Sequence, residues 1–566
     1  MQRKFIVGLE QSVQDLLLVM STLTESRRPS GFAVVLDQND EIFGVVSDGD
    51  IRKFLINNSR MPKSIKEIVN PNYIFIENNP DPSRLLDNAW KLVSQLNSES
   101  RYPIKFLPVL EGKRIVGLLD VEEMSIIGDN RDDCIVILGL GYVGLTLAGF
   151  FLSRGHEVIG IEPDQSKLEK LANGESYITE PGLDYIIKQK ITDNFSVEEN
   201  LLSALELAKT KSRKVYVVCV PTPVSSLGIG DTKFVESAIT EISKFLQAGD
   251  LVILRSTLPM RSSRNLASLL GGLSGFRPGI DFSFVFAPER TVEGNALKEI
   301  GELPQIVAGL TSHCLEKGLD FFEKFGILTV PVSSLETAEL IKISSNAFRD
   351  YTFAFANYLS IVSQENFLDV NEIIKSANFG YPRNSIPTPS PGVGGPCLTK
   401  DPYLLKTNRV DIESPVKVAR NLNEGMPKYL MEFVHQEIRD EQYKSFSIIG
   451  IAFKGIPETN DIRNSPGIDI FNLLLKLGES VEVWDAVAKY KELPASQNSQ
   501  PPNIFIIANN HPKNLEYFSD VIMKSGLTEI YVVDPWRMIT SNALSQLRSI
   551  KKIHYFSLSH FERDIN

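Results

Sequence analysis

Cys134-Ile135-Val136-Ile137-Leu138-Gly139-Leu140-Gly141-Tyr142-Val143-Gly144 is the stretch from which the fold can be read. Its apolar opening predicts a buried strand. The strand runs directly into three glycines, spaced so that backbone can approach a pyrophosphate at the start of a helix, which is expected over Leu145 to Ser153. A second strand, Glu157 to Ile161, ends on Glu162, about 20 residues past the first glycine. Strand, turn, helix and acidic residue together form a dinucleotide-binding fingerprint. Gly139, Gly141, Tyr142, Val143 and Gly144 would cradle the phosphates. Glu162 would take the ribose hydroxyls and repel a 2′-phosphate, so NAD is expected rather than NADP.

Downstream the alternation continues. Strands are predicted at Val215 to Val220, Leu251 to Arg255 and Phe282 to Ala287, with helices between them, extending a doubly wound parallel sheet. Their carboxyl ends carry Pro221-Thr222-Pro223, Ser256-Thr257-Leu258-Pro259 and Pro288-Glu289-Arg290-Thr291-Val292-Glu293-Gly294. Ligands of such sheets bind beyond the carboxyl ends of strands, which makes these segments site candidates by position. A long helix is expected from Glu336 to about Gln364, with Glu339, Lys342 and Asn346 on one face. Ala338, Ile341 and Phe348 suggest that it is packed. From about residue 441, strands at Phe446 to Ile451, Ser480 to Trp484, Asn503 to Ala508 and Glu529 to Val533 predict a second Rossmann-like sheet. It has no GxGxxG and is expected to bind something other than a second NAD.

Between the long helix and that sheet lies Pro391-Gly392-Val393-Gly394-Gly395-Pro396-Cys397-Leu398-Thr399-Lys400-Asp401-Pro402. Small and rigid residues let this backbone approach a ligand, and Pro396 suits the first position of a helix running onward. Cys397 is therefore expected near a helix start, where unpaired N–H groups favour thiolate, with Lys400 and Asp401 on the same face. A nucleophilic thiol, a cation and a carboxylate in one small volume suit covalent catalysis through a thiohemiacetal or thioester. The competing reading is a buried structural cysteine behind a glycine-rich loop.

At 566 residues the chain is too long for one core, and its length suggests roughly three or four domains. It is 43% apolar and 23% charged. Its net charge of -11 argues against general nucleic-acid binding but not against a local anion pocket. Cys134, Cys219, Cys314 and Cys397 lie far apart with no CxxC pair, so neither a metal site nor a disulfide framework is suggested, and a reducing cytoplasm fits. Met1 to Glu10 holds no export core, and no window approaches ~18 uninterrupted apolar residues, so no membrane span is expected.

The first 128 residues contain an internal repeat. Phe32 to Leu36 with Glu41 to Val46, and Phe106 to Leu110 with Lys113 to Leu119, each predict a strand pair, leading into helices at Asp50 to Asn57 and Val121 to Ile127. The repeat resembles a tandem pair of CBS motifs. Gly44-Val45-Val46-Ser47-Asp48-Gly49-Asp50 is near the pattern by which that family holds an adenosine nucleotide, which implies phosphate at Ser47 and ribose at Asp50. In the second copy Asp120 replaces the expected hydroxyl and would repel phosphate. One nucleotide site or none is expected. A pair that only mediates subunit contact is the alternative.

Four motifs in order resemble the nucleotide-sugar dehydrogenases: Gly139 to Leu145, Ala338-Glu339-Leu340-Ile341-Lys342, Gly394-Gly395-Pro396-Cys397 with Lys400-Asp401, and Ala452-Phe453-Lys454. The match spans about 134 to 557. This family includes UDP-glucose, UDP-N-acetylmannosamine, UDP-N-acetylglucosamine and GDP-mannose 6-dehydrogenases. The resemblance implies oxidation of a sugar C6 alcohol to a carboxylate with two NAD+. Cys397 would carry the thiohemiacetal and thioester, Lys342 and Asn346 would stabilise oxyanions, Asp401 would be a base acting through a water, and Glu289 would assist hydrolysis. Thr257 would place water and cofactor, and Thr222 and Lys400 would also meet the cofactor. Glu293, Lys454, Arg463 and Arg537 would meet the nucleotide sugar, joined by Arg383 reaching across a dimer interface.

Pro396 stands where enzymes for N-acetylated sugars often carry His, whereas Glu289-Arg290 and Asp401-Pro402-Tyr403 look nearer the N-acetylhexosamine branch. The expected architecture is α/β: two Rossmann-like doubly wound sheets joined by a long central helix and preceded by an α+β tandem CBS module. The expected boundaries are 1–128, 129–332, 333–440 and 441–566. The rivals are a β-hydroxyacid dehydrogenase, which needs no cysteine, and a nucleotide-sensing binding protein that has lost catalysis.

Overall fold

The computed structural model describes residues 5–21, 31–58, 60–78, 88–89, 92–93, 106–120, 133–190, 194–207, 213–225, 228–407, 409, 411–439, 444–489 and 501–558. The chain divides into two compact units, one made chiefly of residues 1–131 and one of the remainder. In the first unit β1 (Ile6–Gly8), β2 (Phe32–Leu36) and β3 (Ile42–Ser47) form one sheet, and β4 (Ile76–Glu77), β5 (Phe106–Glu111) and β6 (Arg114–Asp120) form another. Each has a parallel pair followed by an antiparallel hairpin, so the repeat seen in sequence is a repeat in topology. The first hairpin leads into a helix at Asp48–Asn58, two residues earlier than expected. Ser47 and Asp50 bond reciprocally across its first turn, Ser47 Oγ donating to Asp50 Oδ2 at 2.6 Å and Asp50 N to Ser47 Oγ at 3.3 Å. The second predicted helix, Val121 to Ile127, and the linker apart from Asp133 lie outside the described residues.

The second unit holds two sheets. The larger has eight strands: β7 (Asp133–Leu138), β8 (Val158–Ile161), β9 (Phe195–Glu198), β10 (Arg213–Val218), β11 (Leu251–Leu254), β12 (Ser283–Phe286), β13 (Gln305–Gly309) and β14 (Thr329–Pro331). Their order is β14-β13-β12-β11-β10-β7-β8-β9. All pairs are parallel except β12 with β13, a reversal that the strand patterns did not announce. Helices cover both faces, which is why β8, β11 and β12 are buried throughout and read as unbroken apolar runs. The order reverses between β7 and β10, and the crevice beyond their carboxyl ends is where a doubly wound sheet takes its ligand.

The chain leaves this sheet through α2 (Leu335–Glu365), begun by Ser334, whose side chain accepts from Thr337 N. α2 packs along α3 (Pro415–Glu437), and the cysteine segment runs between them in sequence. The smaller sheet, β15 (Ser445–Ile449), β16 (Ser480–Trp484), β17 (Ile504–Ile507), β18 (Glu529–Val533) and β19 (Lys552–Phe556), is wholly parallel in the order β16-β15-β17-β18-β19. Its switch point lies beyond β15, where Ala452-Phe453-Lys454 emerges. Among the described residues no helix is long and apolar enough to cross a membrane.

Candidate active site

The fingerprint turn is shaped for a phosphate pair. Its helix, α1 (Tyr142–Ser153), begins three residues earlier than the spacing suggested, with Gly141 at its N-cap. A Cβ on Gly144 would collide with the Gly139 carbonyl oxygen, whereas a Cβ on Gly141 would meet nothing within 4 Å. The turn is therefore tight within the protein and open on the side facing the crevice. Helix dipole, free N–H groups and open space fit a dinucleotide pyrophosphate. Glu162 is buried at the end of β8, 3.5 Å from Lys167 Nζ, and fits a ribose. Thr222 and Thr257 follow β10 and β11 on the same edge. Tyr142 opens the helix of the cradle. Its hydroxyl donates to Glu180 and accepts from Gly294 N at 2.6 Å, so only its backbone is left for a cofactor.

The chemistry-bearing residues converge on Cys397. Lys342 and Asn346 are buried one helical turn apart on α2, and Asn346 Nδ2 donates to Asp401 Oδ2 at 2.6 Å. Lys400 Nζ pairs with the other carboxylate oxygen of Asp401 at 2.5 Å. That pairing holds Lys400 beside Cys397. The expected helix start at Cys397 is absent. Residues 396–400 form turns that end in a 3₁₀ segment, Asp401–Leu404. Pro402 accounts for this, because it removes a donor and disfavours helical geometry at Asp401. Without a helix start at Cys397, the thiol lacks the dipole that would favour thiolate. Although Cys397 is exposed by surface area, the protein crowding it raises its pKa first by burial and then through Asp401, against the pull of Lys342 and Lys400.

Gly394 and Gly395 let this loop lie flat on the C-terminal domain. A Cβ on Gly394 would strike the Asn464 carbonyl, and one on Gly395, whose φ is +90°, would come within 2.8 Å of the Phe453 ring. The same contact brings in Glu293. Lys454 Nζ donates to the Glu293 carbonyl at 2.7 Å, Thr459 Oγ1 donates to its carboxylate at 3.2 Å, and Arg463 lies 3.8 Å away. Burial, with Asp461 adding to it, pushes the Glu293 carboxyl up to about 7, and burial pulls Lys454 down to about 8. Glu293 also acts on the Cys397 thiol, so both stand in one electrostatic neighbourhood.

Three other expected residues have contacts within their own chain. Glu289 is buried and paired with Arg255, while Arg290 N and Thr291 N donate to its other oxygen at 2.7 and 2.9 Å. Burial raises its pKa, but Arg255 and these N–H groups outweigh it and hold the carboxyl below its ordinary value. Arg537 NH1 donates to Asp369 Oδ1 at 2.6 Å. Arg383 is exposed and lies over the Tyr381 ring, its Nε donating to the Tyr381 hydroxyl at 2.8 Å. Sequence reasoning missed Arg255, Glu180, Asp350 and Arg420, because nothing in a lone arginine or carboxylate on a helix or strand signals which backbone it will meet.

Comparison with known proteins supplies the decisive observation. Residues 133–325 match the NAD binding domain of the UDP-glucose/GDP-mannose dehydrogenase family, and residues 336–424 match its central domain. A UDP-N-acetyl-D-mannosamine dehydrogenase of Pyrococcus horikoshii is 31% identical over 390 residues, 67% of this chain and 90% of the relative. The chain belongs to the UDP-glucose/GDP-mannose dehydrogenase family. A second relative, an NDP-N-acetyl-D-galactosaminuronic acid dehydrogenase of Ralstonia nicotianae, is 32% identical over 352 residues, 60% of this chain and 80% of the relative. The solved structure of a UDP-D-ManNAc dehydrogenase from Pyrococcus horikoshii superposes with a TM-score of 0.65 at 28% identity, covering 75% of this chain and 99% of that one. This member of the UDP-glucose/GDP-mannose dehydrogenase family is thus an NAD-dependent oxidoreductase of Rossmann-like fold, and the first 131 residues lie outside both family matches.

Proposed function

We propose that the chain oxidises the C6 alcohol of a UDP-N-acetylhexosamine, UDP-N-acetylmannosamine first among them, to the carboxylate. The observation that carries this reading is the convergence of Cys397, Lys342, Asn346, Asp401 and Glu293 on one small volume. The sugar preference is supported by the names of the relatives. NAD+, held at Gly139 to Gly144 and Glu162, supplies the hydride acceptor for both oxidations. As the C6 alcohol passes its proton to the water held by Asp401, Lys342 and Asn346 hold the charge that develops on its oxygen. Cys397 Sγ bonds to the carbonyl carbon of the aldehyde, and its proton leaves through a water held by Asp401. After the second oxidation the thioester carbon takes a hydroxyl from water, the C–S bond breaks and the thiol is restored. Glu293, with a carboxyl poised near 7, is better placed to accept that water's proton than Glu289, which is engaged by Arg255.

The test is NADH released per sugar consumed, over UDP-glucose, UDP-N-acetylglucosamine, UDP-N-acetylmannosamine and GDP-mannose. Two NADH per UDP-N-acetylmannosamine is expected, and no NADH from any of the four would leave the nucleotide-binding reading. Full turnover in Cys397→Ala would favour the β-hydroxyacid type instead.

The remaining parts of the reading follow the four-part division into residues 1–128, 129–332, 333–440 and 441–566. We assign residues 1–128 to a CBS-like pair, supported by the repeated sheet topology, with an adenine nucleotide at Ser47 and Asp50 in the first copy. A homodimer through α2 is supported by its exposed aromatic stripe, Phe348, Tyr351, Phe355 and Tyr358; Phe348, expected in the core, is 68% exposed. Such a dimer would give Arg383 a partner site to reach. The product, a sugar uronate for surface polysaccharide, and a cytoplasmic setting that suits four cysteines outside any disulfide complete the proposal.

A further inference from the structure

Beside the cysteine loop is a polar cavity of about 470 Å³ lined in part by Gly392, Val393, Thr399, Lys400, Glu424 and Asp469. There Asn464 Nδ2 donates to Thr399 Oγ1 at 2.8 Å, and a buried guanidinium holds the loop backbone. Arg420 of α3 is 1% exposed, donates from NH2 to the Val393 carbonyl at 2.9 Å and from NH1 to the Leu398 carbonyl at 3.2 Å, and so grips the backbone before and after Cys397. Its NH1 also meets Asp350 Oδ1 at 2.6 Å, and Asn423 Nδ2 donates to the Asp350 carboxylate and carbonyl at 2.8 and 2.9 Å. Asp350 stands on α2, the helix that carries Lys342 and Asn346.

We infer that Arg420 is a positioning residue that sets the register of the Cys397 sulfur against Lys342 and Asn346, by tying both limbs of the cysteine loop to the helix bearing them. This inference rests on the reading of Cys397 as the nucleophile. A planar guanidinium can bridge two carbonyls and a carboxylate together, whereas an ammonium on a flexible stem cannot fix all three directions. Arg420→Lys keeps the charge and loses the clamp. The first oxidation, which needs no sulfur, then continues, while capture of the aldehyde falters.

The test uses the full chain. In Arg420→Lys, NADH per sugar is expected to fall from two toward one with free aldehyde accumulating, while KM for the sugar stays within about twofold. Independently of turnover, labelling of Cys397 by iodoacetamide across pH, followed by peptide mass, is expected to quicken at least roughly threefold near neutral pH as the loosened loop hydrates the thiol. Cys134, Cys219 and Cys314 are buried and do not compete. Unchanged stoichiometry and labelling would overturn the inference. Should Arg420→Lys fail to fold, Asp350→Asn, which leaves the guanidinium but weakens its anchor, is expected to shift labelling in the same direction by less, and a folded Asp350→Asn with the wild-type profile would equally overturn it. Altered labelling in a chain that oxidises no nucleotide sugar would sink the functional reading and spare this one; normal turnover with unaltered labelling would do the reverse.

Discussion

At the scale of single residues the site is governed by burial as much as by charge. Glu293 is a carboxyl whose folded value, about 7, lies well above its unfolded one. Its protonated form is favoured by folding, so that stabilisation is fully present below the ordinary carboxylate range and is lost as pH rises through about 7. Glu293→Gln should therefore match the wild type in thermal stability near pH 4 and exceed it near pH 8, by at most about 3 kcal/mol; equal gains at both pH values would contradict this. Turnover gives the complementary sign. Wild-type kcat/KM should climb as pH passes about 7 and Glu293 ionises, and that limb should vanish in Glu293→Gln. The set Cys397, Lys400 and Asp401 was legible from its spacing in sequence. The state of the thiol was not, because a glycine-rich approach looks the same whether a helix or, as here, a Pro402-broken turn follows.

At the scale of elements, the β7-turn-α1 unit and α2 could be read directly, since their apolar periods and caps are local. β13 was missed because its reversal against β12 is a property of the sheet rather than of its own residues. Within the fingerprint two glycines do opposite work. Gly144→Ala drives a Cβ into the Gly139 carbonyl, so the turn should not form and the protein should recover poorly from expression. Gly141→Ala meets no protein atom, so melting should be unaffected while NAD+ affinity, measured calorimetrically, falls roughly tenfold or more as the methyl fills the phosphate cradle. Equal loss of stability in both would show that the cradle is not open.

At the scale of the whole molecule, the leading unit is compact in itself and supplies none of the residues gathered at Cys397. A chain beginning at residue 132 should fold and keep its basal oxidation rate, and any response of the full chain to AMP or ATP should disappear; loss of basal turnover on this deletion would contradict the division. On α2, Phe348→Asp combined with Phe355→Asp should turn a dimer into a monomer in sedimentation velocity, since two charges would then stand in the aromatic stripe. One further property follows from how the four sulfurs are placed. Three are buried and the fourth, Cys397, is accessible, with its thiol pushed up by the surrounding protein. Peroxides attack the thiolate, so this raised value lowers the share of Cys397 open to oxidation in the free protein.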